Sequence, residues 1–196
     1  VSEKHPLNVI EDAARNCYQS KSGNTEEFIK KLLNRTPPHL TPFEMVDVRV
    51  ELITDRGCMS EITRHRHASF NIESTRYVNY KRIVEFILPM EFYDDYDKYN
   101  GIPLLSDSKI IHMWGTAMER CEQAYKYLIM QGCSPQLARS VLPNSLKTKI
   151  IMKANLREWL HIFKLRTSSG AHPQMKALMK DLKEQFRTRI PVIFDV

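Results

Sequence analysis

Residues 45–77 read MVDVRVELITDRGCMSEITRHRHASFNIESTRY. After Met45 the chain alternates without a fault: Val46, Val48, Val50 and Leu52 are apolar, and Asp47, Arg49 and Glu51 between them are charged. A period of two is what a strand with one buried face demands, so a half-buried strand is predicted here. Residues 55–63 read as a short helix that delivers Arg64, His65 and Arg66 at its C-terminal end, where basic charge complements the negative pole of the helix. Beyond it, Arg64, Arg66 and Arg76 are interleaved with Ser69, Asn71 and Ser74. Fork-shaped donors at that density are poorly suited to a core and well suited to gripping phosphate and a planar heterocycle. The bland alternative is a solvated basic loop.

Working outward, the whole chain has 196 residues, 42% hydrophobic and 27% charged, enough for one well-packed domain and short for two. One domain over 1–196 is expected. The net charge of +6 permits nucleic acid, an anionic membrane or small phosphorylated ligands and selects none of them. Cys17, Cys58, Cys121 and Cys133 show neither CxxC nor zinc-like spacing, which fits a reducing compartment and no metal site. The N-terminus lacks a charged-then-apolar signal pattern, and no apolar run approaches the ~18 residues of a membrane span. A soluble, cytoplasmic protein without a membrane partner is the expectation.

Upstream, Val9, Ile10, Ala13, Ala14 and Cys17 recur at helical spacing and predict a first short helix over 9–19, in which Cys17 is a buried small apolar residue. A second helix over 26–33 stops at Thr36, Pro37 and Pro38 because proline cannot continue the ladder. Residues 39–44 read as a turn. Downstream, residues 78–87 are extended and end at Pro89, and residues 94–107 read as a surface loop. Ile111, Trp114, Met118, Cys121, Tyr125 and Leu128 predict the longest helix, over 108–130 and capped by Gly132, with its aromatics and methionines in a core or subunit interface. Ser134 and Pro135 start a short helix carrying Arg139, and residues 146–152 alternate as a strand. Asn155, three residues before Glu158, caps a helix running to about residue 168. A last helix from Pro173 carries Met175, Leu178, Met179, Leu182 and Phe186 on one face and ends at Ile190 and Pro191. Long helices with a few alternating strands predict an α+β fold: a largely antiparallel sheet flanked by long helices.

Six glycines include no GxG, GxGxxG or GxxxxGK pattern, which excludes a Rossmann domain. Any dinucleotide must therefore have its phosphates met by side chains. Cys58 lies six residues before the basic motif inside the predicted helix, and structural burial is favoured over a nucleophilic role.

Arg64-His65-Arg66, seven residues and then Ser74, continuing through Thr75 to Arg76 and Tyr77, resembles the signature of the flavin-dependent thymidylate synthases. His39-Leu40-Thr41-Pro42-Phe43-Glu44, Ala138-Arg139-Ser140-Val141-Leu142-Pro143, Asn155-Leu156-Arg157 and Leu165-Arg166 follow in that family's order, so the resemblance covers most of the chain. It implies non-Rossmann flavin binding and methylation of dUMP to dTMP, with methylenetetrahydrofolate as carbon donor and FAD reduced by NADPH as hydride carrier. It also implies a homotetramer with sites shared between subunits, and no nucleic-acid partner. By the same resemblance Ser74, Arg76 and Arg139 hold the dUMP phosphate region, and Arg64, His65 and Arg66 line flavin and nucleotide. Thr41, Asn155, Arg157 and His161 contact the flavin, and Arg166 faces the uracil as the catalytic residue. The family places Glu directly after the Asn of the motif; here Ile72 follows Asn71, and Glu73 is the candidate cofactor contact. Arg157 and His161 share a helix face with Lys164, and a solvated basic stripe remains the alternative there.

Two rival readings stay open on the residues alone. One is a basic nucleic-acid-binding domain, with residues 64–82 tracking phosphates and Tyr77 and Tyr80 as stacking platforms. The other keeps fold and flavin but lacks the synthase reaction because of Ile72.

Overall fold

The structure, a computed structural model, describes residues 4–17, 19–20, 23–92 and 108–195. The expected loop over 94–107 lies outside them. Three strands form the sheet: β1 (Asp47–Asp55), β2 (Ala68–Ile72) and β3 (Lys147–Asn155), in the order β1-β3-β2. Charged residues on the exposed face of β1 fix its register. Asp47 meets Lys153 at 2.8 Å and Glu51 meets Lys149 at 2.7 Å, so numbers fall on β3 as they rise on β1 and the strands are antiparallel. The α+β fold with an antiparallel sheet is what the sequence predicts. Contacts divide the chain into two compact units, and each of the three strands passes from one into the other.

The first unit comprises residues 1–50, 67–69 and 153–196. Its helices are α1 (Pro6–Asn16) and α2 (Thr25–Leu33), with a 3-10 turn at Thr41–Met45. They also include α6 (Leu156–Arg166), α7 (Pro173–Arg189) and α8 (Pro191–Phe194). Their apolar stripes meet in one core. Trp159, Phe163, Phe186 and Phe194 pack edge to face, tilted or stacked, with ring centroids 5.0 to 5.8 Å apart. Two bonds lock α6 onto β1: the Leu156 amide donates to the Val46 carbonyl at 2.9 Å, and Trp159 Nε1 donates to the Val48 carbonyl at 3.2 Å. The Asn155 side chain accepts from the Glu158 amide at 2.9 Å, the expected cap.

In α1, His5 caps the helix and Pro6 opens it, so the helix starts earlier than its apolar spacing indicates and ends at Asn16. Cys17 consequently sits past the last turn and is exposed, correcting the expectation of burial. At the C-terminal end, Pro191 closes α7 as expected but also opens the short α8, which buries Val192, Ile193 and Phe194.

The second unit comprises residues 51–66 and 70–152. It holds α3 (Arg56–Ile62), α4 (Ser108–Met130) and α5 (Pro135–Ala138). Asp55 caps α3 by accepting from the Cys58 amide at 2.7 Å. Gly132, at φ 86°, ends α4 in the left-handed conformation that glycine adopts without steric cost. Tyr125 and Ile129 of α4 pack with Val84, Ala138 and Leu146. Residues 78–87 form no strand and bend at 81 and 82; a bridge between Phe86 and Leu146 and an ion pair between Glu85 and Lys147 at 2.8 Å tie them beside the start of β3. Among the described residues, no helix is long and apolar enough to cross a membrane.

Candidate active site

In the second unit most of the residues singled out in the sequence lie on either side of β2. Arg64 and His65 extend the end of α3, their amides donating to the carbonyls of Glu61 at 3.2 Å and Ile62 at 3.1 Å. His65 turns inward at 5% exposure, whereas Arg64 and Arg66 face solvent. Beyond β2, the Glu73 amide donates to the Lys149 carbonyl at 3.1 Å. The chain then reverses: the Ser74 carbonyl accepts from the amides of Tyr77 at 3.2 Å and Val78 at 2.9 Å, and Ser74 Oγ accepts from the Arg76 amide at 3.3 Å. Arg76 Nε donates to Gln136 Oε1 at 3.0 Å, and Arg139 Nη1 donates to Thr75 Oγ1 at 3.1 Å. Among the described residues, each of these two exposed guanidiniums is steered by a neutral oxygen, which orients it without cancelling its charge. Ser74, Thr75, Arg76 and Arg139 are thus linked around one turn, an arrangement suited to a phosphate.

The carboxylate of Glu73 accepts from Tyr80 Oη at 2.5 Å. Burial first, and then this carboxylate, push the Tyr80 phenol well above its ordinary value, so it stays a protonated donor. Cys58 is 3% exposed, and its thiol is pushed up to about 12, mainly by burial and then by the nearby Asp55. A thiol held that high is no nucleophile at neutral pH, in line with the structural role expected from the sequence.

The first unit contains a cavity of about 1000 Å³. Asn155, Arg157 and His161, expected at the flavin, all line it, together with Glu44, His67, Lys164 and Lys183. The helix face shared by Arg157, His161 and Lys164 therefore borders a cavity. Thr41 heads the 3-10 turn that carries Glu44, and Glu44 Oε1 accepts from Arg157 Nη1 at 2.5 Å. Arg166 is the last residue of α6, half-buried, beyond the buried row of Leu156, Trp159, Ile162 and Phe163.

Sequence reasoning did not assign Glu44, Lys183, Gln136 or the hydrogen-bonding role of Tyr80. Glu44 stood in a quoted motif, yet its partner lies 113 residues on, and no local spacing announces such a pair. Gln136 is likewise 60 residues from Arg76.

A family model described as thymidylate synthase complementing protein matches residues 1–192. The flavin-dependent thymidylate synthase of Kosmotoga olearia is 30% identical, the match covering 93% of this chain and 81% of the relative. Those of Geobacter sulfurreducens and Haloarcula marismortui are each 27% identical, covering 93% and 97% of this chain and 78% and 90% of the relatives. A match that runs the length of both units, over the same residues that build the turn at Ser74 and the cavity at Arg157, means that this chain belongs to the flavin-dependent thymidylate synthase family.

Proposed function

We propose that this enzyme methylates dUMP to dTMP in the cytoplasm, with methylenetetrahydrofolate as carbon donor and FAD reduced by NADPH. We further propose that it works as a homotetramer whose sites are shared between subunits. The observation that carries the reading is the turn in which Ser74, Arg76 and Arg139 are held ready for an anion by neutral partners. Ser74 acts there as a phosphate anchor and not as a nucleophile. Arg64 and Arg66 supply further cationic forks from the end of α3.

The cavity of the first unit fits a flavin dinucleotide in its donor set. Arg157, His161, Lys164 and Asn155 offer guanidinium, imidazole, ammonium and amide groups in place of a glycine-rich phosphate loop. Its volume is of the order of large ligand pockets, up to ~1000 Å³. Thr41 is a further proposed flavin contact of this unit, and His65 is proposed as one at the end of α3 in the second unit. When bound, the flavin supplies the hydride transfer. The chain's own residues bind, orient and polarise: Arg166 faces the uracil and favours charge on the ring, activating the carbon that accepts the methylene. The four cysteines are free thiols, and Cys58 is buried and protonated, which supports a route without an enzyme thiolate.

The absorption spectrum of the purified protein tests this reading. A bound oxidised-flavin band that shifts on adding dUMP supports it. A protein without flavin whose affinity for DNA falls steeply with salt would support a nucleic-acid surface instead.

A further inference from the structure

We infer that Tyr80 and Glu73 form a clasp that holds the turn at residues 74–78 in its anion-binding shape, so that both are positioning residues for the nucleotide phosphate. The inference deepens the reading above and rests on it. Each end of the segment is anchored separately. At its start the Glu73 amide is bonded to β3, and the Glu73 carbonyl accepts from Arg56 Nη1 at 3.4 Å. At its end the Tyr80 amide donates to Tyr125 Oη at 3.3 Å, and the Tyr80 ring meets the Tyr125 ring edge-on at 6.0 Å. Tyr125 is fully buried in the core of this unit. The bond from Tyr80 Oη to Glu73 Oε1 joins the two ends across seven residues.

The clasp answers two physical problems. A turn whose own bonds are the two to the Ser74 carbonyl and one to its hydroxyl has few internal constraints, and an error of ~1 Å in a binding group costs affinity steeply. Closing the loop from Glu73 to Tyr80 reduces that freedom before any ligand arrives. The second problem is charge. Glu73 is the chain neighbour of Ser74, and a carboxylate free to swing towards a bound phosphate would repel it. Tied to a phenol that remains protonated, Glu73 is turned to the scaffold and its charge is met by a donor. The shift of the motif's carboxylate from position 72 to 73 thereby acquires a use in this chain.

The test is steady-state kinetics with the full-length flavin-loaded protein, with flavin content measured on the same preparation. Tyr80→Phe keeps the ring against Tyr125 and deletes the hydroxyl; the apparent KM for dUMP should rise roughly tenfold, about 1.4 kcal/mol, with kcat and flavin content little changed. Glu73→Gln keeps an acceptor without the charge and should raise KM less. The double variant should recover part of the loss of Tyr80→Phe, because the untied charge is gone. An unchanged KM in both single variants overturns the clasp, as does a fall of flavin content in step with activity, which would make Glu73 a cofactor contact. Should Tyr80→Phe fail to fold, Glu73→Gln decides alone: a raised KM at constant kcat supports the clasp and an unchanged KM overturns it. A wild-type protein that does not turn over dUMP refutes the parent reading, and the clasp's role with it.

Discussion

At Ser74 the proposed role is that of a phosphate anchor. Its hydroxyl accepts one backbone bond and keeps its proton for a ligand. Ser74→Ala should raise the KM for dUMP by the equivalent of about 1–2 kcal/mol, the worth of a hydrogen bond to a charged group, with a smaller effect on the maximal rate. Total inactivity at saturating dUMP with flavin still bound would contradict a binding role. Arg166→Lys keeps the charge and loses the planar fork, so turnover should fall at least ~10-fold, about 1.4 kcal/mol, with FAD binding retained. Loss of flavin in proportion to activity would make Arg166 structural. Cys58 gives a prediction in pH. Its thiol ionises at about 12 in the folded protein against an ordinary 9.0, so the folded state holds the proton more tightly. This contribution to stability is complete below pH 9 and declines as pH rises towards 12. Denaturant unfolding across that window should show a shallower decline in Cys58→Ala than in the wild type. Equal slopes would mean the thiol is not held as described. The individual donors were legible in the sequence because arginines and serines at that density serve few other ends. Their steering partners were not, since Gln136 and Thr75 meet them from 60 and 64 positions away.

Elements with a strong period are legible in the sequence: β1, α2, α4, the entry to α6 and the start of α7 lie where alternation, caps and prolines put them. The strand β2 was hidden, because its residues AlaSerPheAsnIle alternate only weakly and stand among arginines and histidines. It exists because β3 offers it a free edge, a tertiary cause that propensity cannot report. The short α8 was likewise masked by the proline that closes α7. Asn155 serves both as an element cap and as part of the cavity wall, and two substitutions separate these roles. Asn155→Ala should lower unfolding free energy by about 1 kcal/mol through loss of the cap. Asn155→Asp keeps the cap but adds negative charge to the cavity, so it should preserve stability in thermal unfolding and lower flavin occupancy. Equal flavin occupancy in Asn155→Asp and wild type would remove Asn155 from the cofactor site.

At the scale of the whole molecule, the chain gathers basic and polar side chains in two regions. One is the turn around Ser74 in the second unit; the other is the cavity beside Arg157 and His161 in the first. The α+β class was legible because alternating strands and long amphipathic helices occur in one chain of this length. The division into two units was not, because the boundary runs through the strands themselves and leaves no linker in the sequence. Both regions are proposed to serve thymidylate synthesis with a flavin. The most direct test of this role is formation of dTMP from dUMP by the purified protein with methylenetetrahydrofolate and NADPH, assayed with FAD retained and with FAD stripped. Formation of dTMP should be lost on stripping and restored by added FAD. Failure of the flavin-loaded protein to form dTMP, or formation that persists at full rate without flavin, would contradict this role.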